Sequence, residues 1–348
     1  MNSFGKTVLI CLVVFMCAAG PLFAQNLDDL QKNANEFSEK MAQALPFYST
    51  MGLNWSDAYI GQITAVPPNF GIGVSAGFTT MDFTSIRALM RTFGLSLPFG
   101  DDISVLENIG FPLPGYTAEA RIGGIGLPFD FGLKFSYLPQ NALNFLYSGD
   151  NFGFNNMLIG ADIRYALANS KVLPLRLSIG AGFNYLQGGI SATFPMRSFS
   201  FDHESIAYSL SPTSPELGID WRTTTVELKT QISFPYKIIT PYLGFGVSYA
   251  WSQAGYKVTS PELSITRADG SAISDTERRL IEEILLNRYN LTGISGSGFE
   301  TINKYTGLNT RAFGGIAFNL AYLRFDLTGM YEILGRNLGA TFGMRFQL

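Results

Sequence analysis

Beyond residue 68, apolar side chains alternate with polar or small ones in one segment after another. In 129–137, Phe129, Phe131, Leu133, Phe135 and Tyr137 alternate with Asp130, Gly132, Lys134 and Ser136. A period of two places the two sets on opposite faces of a β-strand. The same pattern runs through 70–78, 116–122, 157–167, 173–185, 225–234, 243–251, 315–320, 323–331 and 338–348, so the chain predicts about ten strands. Two stretches break the period. Leu27, Leu30, Ala34, Phe37, Met41 and Leu45 recur at spacings of three and four, which predicts a helix over 26–45. Ser274 and Glu277 form a capping-box pattern ahead of Leu280, Ile281, Ile284 and Leu285, which predicts a loop helix over 274–290. Residues 46–68 read as irregular, with Pro67-Pro68 as a breaker.

The links between strands separate a barrel from a sandwich. They are short around Leu127-Pro128, Ala168 to Val172, Pro235 to Thr240 and Ala321-Tyr322. They are long at 83–115, 138–153, 188–220 and 252–307, and Gly335-Arg336-Asn337 is the one short link among these. Alternating short turns and long loops belong to barrels that span a membrane. The expected fold is all-β: an antiparallel up-and-down transmembrane β-barrel of about 10 strands. It carries a short N-terminal helix and one loop helix. Hairpins within 190–201 and 252–267 would raise the count to between 10 and 14.

The first residues set the compartment. Lys6 precedes the apolar run Thr7 to Ala19, and Leu22-Phe23-Ala24 ends in a small residue, as a secretory signal peptide does. The run falls short of the roughly 20 residues a membrane helix needs. Cleavage is expected after Ala24. Phe15 and Met16 are too bulky for a lipidation signal at Cys17. Both cysteines, Cys11 and Cys17, lie in this leader, so the remaining chain has no disulfide to stabilise it. The expected organisation is 1–24 signal peptide, 25–68 N-terminal helical plug or periplasmic segment, and 69–348 barrel. Only 15% of residues are charged while 14% are aromatic, and beyond the leader no apolar run is long enough for a helical span. A net charge of −3 gives nucleic acid nothing to bind.

The chain resembles outer-membrane β-barrel proteins of double-membraned bacteria, in an uncharacterised subgroup. The resemblance covers 69–348. It rests on the alternation, on the final strand LGATFGMRFQL and on the segment GIGLPFDFGLKFSYLP. In that family the terminal strand alternates apolar residues and carries an aromatic near its end, as Phe342, Met344, Phe346 and Leu348 do here. The resemblance implies the outer membrane as location, its lipid as surroundings, and the barrel-assembly machinery as a partner through the C-terminal strand.

The alternation points twelve charged side chains into the lumen: Glu119, Arg121, Asp130, Lys134, Asp162, Arg164, Arg176, Glu227, Lys229, Arg324, Asp326 and Arg345. They form either an ion-pair ladder that fills a narrow barrel or a watery path with mild anion preference. Ten strands leave little room, which argues against a wide pore. Tyr116, Tyr137, Tyr165, Tyr185, Tyr249, Trp251, Tyr331 and Phe346 lie near strand ends, where interfacial girdles form. His203, flanked by Asp202 and Glu204, is the single histidine, so a catalytic base has almost no support and no cofactor or metal is expected. Two readings remain: a narrow channel or small-solute transporter, or a closed barrel with a structural, adhesion or surface-binding role.

Overall fold

The computed structural model describes residues 27–60, 69–92, 104–123, 128–138, 152–169, 175–193, 199–203, 206–212, 216–258, 263–267, 271, 273–277, 279 and 299–348. The signal-peptide residues 1–24, Pro67-Pro68 and most of the predicted loop helix lie outside these. In chain order the elements are α1 (Leu27–Ser49), β1 (Asn69–Met81), α2 (Phe83–Thr92), α3 (Ser104–Ile109), β2 (Phe111–Gly123), β3 (Phe129–Leu138), β4 (Phe152–Asn169), β5 (Arg176–Thr193), β6 (Phe199–His203), β7 (Ile206–Pro212), β8 (Glu216–Ser233), β9 (Ile239–Val258), β10 (Leu263–Arg267), β11 (Phe299–Leu320), β12 (Leu323–Glu332) and β13 (Leu338–Gln347).

Ten of these strands close into one antiparallel barrel, in the order β1-β13-β12-β11-β9-β8-β5-β4-β3-β2. Closure is made by β1 against β13, with Gly71 opposite Gln347 and Thr79 opposite Gly339. The hairpins expected within 190–201 and 252–267 do not form among the described residues: 190–193 continue β5 and 252–258 continue β9, and the short strands found in these loops pair among themselves. β6, β7 and β10 make a separate three-stranded sheet, so the barrel count stays at ten.

The outer surface follows from the alternation. Phe131, Leu133, Phe135, Ile163, Phe183, Leu228, Leu243 and Phe342 all point outward and are exposed. On β3 this apolar face runs from Phe129 to Tyr137, about 26 Å along the strand at roughly 3.3 Å per residue. A tilt of about 40° makes that roughly 20 Å tall, near the ~25 Å belt of membrane barrels. Aromatics border it on both sides. Tyr116, Tyr137, Tyr249, Trp251 and Tyr331 lie toward the long loops; Phe129, Tyr165, Tyr322 and Phe346 lie toward the short turns. They pack in pairs, with ring centroids 4.9 Å apart for Phe129–Tyr165 and 5.0 Å for Tyr249–Trp251. An exposed apolar surface this continuous is stable only where lipid covers it. Among the described residues no helix is long and apolar enough to cross a membrane, so the strands do the crossing.

Several strands exceed the segments that alternation marked. β8, β9 and β11 begin or end well beyond the apolar belt, and there the outward face turns mostly polar, with Arg222, Asp220, Gln253, Lys257, Lys304 and Glu300, and Ile302 as an apolar exception. Outside lipid nothing requires the outward set to be apolar, so the period fades while the ladder continues.

In the loop after β10, Ser274 and Glu277 exchange the two bonds of a capping box. The Ser274 amide donates to Glu277 Oε2 (3.0 Å), and the Glu277 amide donates to Ser274 Oγ (3.3 Å). These donors and Arg267 pull the Glu277 carboxyl down to about 2. A depressed carboxylate stabilises above its ordinary pKa and loses that contribution as pH falls through the folded value. Hydrogen exchange at the Ser274 amide is therefore expected to stay slow between pH 6 and pH 3. Glu277→Gln is expected to speed it across that whole range.

Candidate functional site in the barrel lumen

The lumen is occupied by the chain's own N-terminal segment. α1 packs on β9, β11, β8, β1 and β5 together, which is possible only from inside. It enters at the long-loop end, where Asn303 Nδ2 donates to Asn35 O (3.0 Å) and Asn303 sits four residues from the start of β11. It leaves at the short-turn end, where the Ile60 amide donates to Asp130 Oδ2 (2.7 Å) beside Gly123, the last residue of β2. Residues 34–60 thus traverse the barrel from one mouth to the other.

The filling has two tiers. Toward the long loops it is apolar. Phe37, Met41, Leu45 and Phe47 of α1 pack with Leu158, Leu186, Ile219 and Trp221 of the wall and with Phe83 and Ile86 of α2. Just past the helix, Gly52 and then Leu53 take positive φ (79° and 57°). Glycine tolerates that backbone and leucine does not, so the surroundings must hold Leu53 in place. Lys134 does part of this, donating to the carbonyls of Ser49 (2.8 Å) and Met51 where the helix gives out.

Below the helix the chain becomes an irregular strap, residues 52–60, and its backbone is bonded by barrel side chains. Lys229 donates to Leu53 O (3.4 Å), Gln231 to Trp55 O (2.7 Å), Arg164 to Asp57 O (2.7 Å) and Ser178 to Ala58 O (2.6 Å). The amides of Ser56 and Ala58 donate to Asp326 Oδ1 (3.2 Å) and Ser233 Oγ (3.0 Å). Buried backbone groups must find partners, and here the wall supplies them.

Asp57 is the centre of this tier. Its carboxylate is fully buried and meets Arg324 at 2.6 Å, Arg345 at 3.0 Å and Arg176 at 3.2 Å. Arg176 is on β5, whereas Arg324 and Arg345 are on β12 and β13. Around the barrel, β8, β9 and β11 separate β5 from that pair on one side, and β4, β3, β2 and β1 separate them on the other. One carboxylate therefore ties opposite walls together across the axis. Next to it, the Trp55 ring centroid lies 4.8 Å from the Arg345 guanidinium and 5.5 Å from that of Arg121, and its indole N–H donates to Glu119.

All twelve charged residues that alternation pointed inward lie on the lumen face. Ten are buried; Arg176 and Arg324 are partly exposed at the short-turn mouth. Most pair with each other. Asp130 takes Arg121 and Arg164, Asp162 takes Arg121 (2.6 Å) and Lys229 (2.6 Å), and Asp326 takes Arg345. Arg311, which the interrupted pattern at 312–315 concealed, binds Glu227 at 2.7 Å and Asn54 Oδ1 at 3.1 Å. Asp57 was equally hidden, since no period marks a strap that is neither helix nor strand. The aromatics near strand ends all face outward; Tyr185 is only half-exposed. His203 ends β6, in the sheet separate from the barrel, and its side chain lies outside those described.

Among the described residues, one cavity beside Trp55 and Asn54 measures about 20 Å³, enough for one water. At two wall positions glycine makes room for the plug. A Cβ on Gly123 would collide with the Ile60 carbonyl oxygen, and one on Gly115 with Met51 Cε. Among the described residues no three His, Cys, Asp or Glu side chains are placed to hold a metal.

A closed ten-stranded barrel with a lipid-facing apolar belt and a charged, self-plugged interior is a transmembrane β-barrel. No protein family and no curated protein matches the sequence. Solved structures similar to it include the outer membrane protease OmpT of Escherichia coli, at 9% identity and TM-score 0.41, covering 80% of this chain and 97% of that one. A major outer membrane protein of Thermus thermophilus is similar at 10% identity and TM-score 0.30, covering 81% and 99%. The translocator domain of the autotransporter NalP from Neisseria meningitidis follows at 6% identity and TM-score 0.29, covering 91% and 98%.

Proposed function

We propose that the protein is an outer-membrane barrel that holds itself shut and acts through what it presents outside. On this reading residues 1–24 are a cleaved leader, and the final strand carries the chain to the barrel-assembly machinery. The long loops, the β6-β7-β10 sheet and the rim beyond the girdle then face outward. The observation that carries it is Asp57, fixed at the axis by arginines from opposite walls. A solute path needs water there. Buried ion pairs contribute little net stability, but they specify one arrangement and penalise its loss.

A second reading, the narrow solute channel, draws on the strap itself. Its lower tier is held by polar contacts, not by apolar packing, so a displaced strap would leave a lumen that water can wet.

The threading has a consequence for topology. With the long loops outside, α1 delivers the amino terminus to the cell exterior. The chain beyond the leader has no cysteine, so single-cysteine labelling tests this directly. Lys32→Cys, at an exposed position of α1, is expected to react with a membrane-impermeant maleimide on intact cells. Tyr236→Cys, in an exposed short turn, is expected to react only after the cells are opened. The reverse pattern would overturn the orientation. Steady conductance from the intact chain in a planar bilayer would favour the channel.

A further inference from the structure

The wall of the barrel continues past the lipid belt on one side, and the surface there is built differently from the rest. On β9 the outward residues Leu243, Phe245, Val247, Tyr249 and Trp251 are followed by Gln253, Gly255 and Lys257. The neighbouring strands change at the same level. Tyr185, Thr224, Trp251 and Thr306 make one cross-strand row, and Gln187, Arg222, Gln253 and Lys304 make the next one outward. Two cations thus sit two strands apart, about 10 Å between backbones at ~4.8 Å per strand. Their side chains are long enough to converge on one anion. Among the described residues neither has an ionic partner.

Directly beyond that row lies an open cavity of about 300 Å³ on the outer wall, lined by Asn155, Gly189, Ser191, Glu216, Asp220 and Lys257. Its floor is glycine. A Cβ on Gly189 would collide with Asp220 Oδ1, while one on Gly218 would meet only a backbone oxygen at 3.9 Å. The lining offers two carboxylates, an amide, a hydroxyl and an ammonium around a glycine floor, with the Asp220 carboxylate resting on Gly189. Carboxylates accept from sugar hydroxyls and amides both accept and donate, whereas arginine and lysine take phosphate.

We propose that this outer-wall surface is a binding site for a phosphorylated, sugar-bearing lipid headgroup. Arg222 and Lys304 hold the phosphate at the level of the aromatic girdle, where headgroups lie. The cavity above takes the sugar hydroxyls through Asp220, Glu216, Asn155 and Ser191. The acyl chains then run down the apolar face beneath Trp251 and Tyr185. The site joins an interface the fold already has with lipid, and it rests on the outward orientation proposed above.

The test uses the whole chain from residue 25, refolded in detergent, with lipid retention read by native mass spectrometry. The probes are an acylated glucosamine disaccharide with two phosphates, the same lipid without phosphates, and phosphatidylglycerol. The phosphorylated glycolipid is expected to be retained one per barrel, about tenfold more tightly than either comparison lipid. Arg222→Gln with Lys304→Gln is expected to remove that preference. Asp220→Asn with Asn155→Ala is expected to lower glycolipid retention and leave phosphatidylglycerol unchanged. Equal retention of phosphatidylglycerol would reduce the row to ordinary interfacial cations and overturn the site, as would variants that retain the glycolipid fully. Heat-modifiable gel migration confirms the barrel in each variant. The Lys32→Cys labelling reads orientation separately, so loss of the site and loss of the orientation give different results.

Discussion

Removing residues 25–60 is expected to convert a silent barrel into a conducting one. The chain from residue 25 is expected to show no steady current in a planar bilayer, and the chain from residue 61 a steady one. The argument is one of space. Ten strands ~4.8 Å apart, tilted by about 40°, give a backbone radius of about 10 Å. A helix with its side chains needs about 10–12 Å of diameter, so α1 and the strap take up what the wall side chains leave. Among the described residues, the cavity beside Trp55 and Asn54 holds only about 20 Å³. Without the plug, the wall keeps Arg121, Lys134, Arg164, Arg176, Lys229, Arg311, Arg324 and Arg345 against Glu119, Asp130, Asp162, Glu227, Asp326 and Glu332. The current is therefore expected to favour anions. A truncated chain that migrates as a folded barrel and stays silent would mean that the wall fills its own lumen. The plug would then not be what closes it.

The barrel was legible because lipid enforces a period of two on every strand that crosses it. Residues 129–137 show the rule in full, and the register β3 adopts follows it. The rule fails where its cause ends. Beyond Trp251 water replaces lipid, and the outward positions of β8, β9 and β11 no longer need apolar side chains. It also fails on the inner face at Leu158, Leu186 and Phe313, which are apolar because they meet the plug or its neighbours. The lumen charges were legible as a set, since any charge on a strand that spans lipid must point inward. Their partners were not. Seven basic against five acidic residues read as an excess that an anion would fill, and the structure fills part of it with Asp57. That residue sits in 46–68, where no periodicity exists, because each strap residue is placed by a different wall side chain. Only the closed barrel brings Arg176 and Arg324 within reach of the same carboxylate.

Replacing Asp57 with Asn is expected to unlock the strap without unfolding the barrel. The amide keeps the size of the carboxylate and can still accept a bond. It removes the single negative charge that three guanidinium groups share. Breaking a buried ion pair from one side costs about 3–5 kcal/mol, and the lower end applies here because Arg345 keeps Asp326 while Arg176 and Arg324 reach solvent at the mouth. That corresponds to a rise of about 10²-fold or more in the population of undocked strap. The β-ladders do not depend on it, so heat-modifiable migration is expected to stay near that of the unaltered chain. Hydrogen exchange is expected to speed at the amides of Ser56, Ala58 and Ile60, which the wall holds through Asp326, Ser233 and Asp130. The current is expected to flicker and not to stand open, since Phe37, Met41 and Leu45 still pack α1 into the upper lumen. Arg176→Gln provides the contrast. That side chain is 36% exposed at the mouth, where an ion pair contributes about 0–1 kcal/mol, so its strap is expected to stay docked. If the two variants exchange alike, the lock is spread over the strap backbone. If Asp57→Asn alone loosens it, one carboxylate at the axis holds the barrel closed.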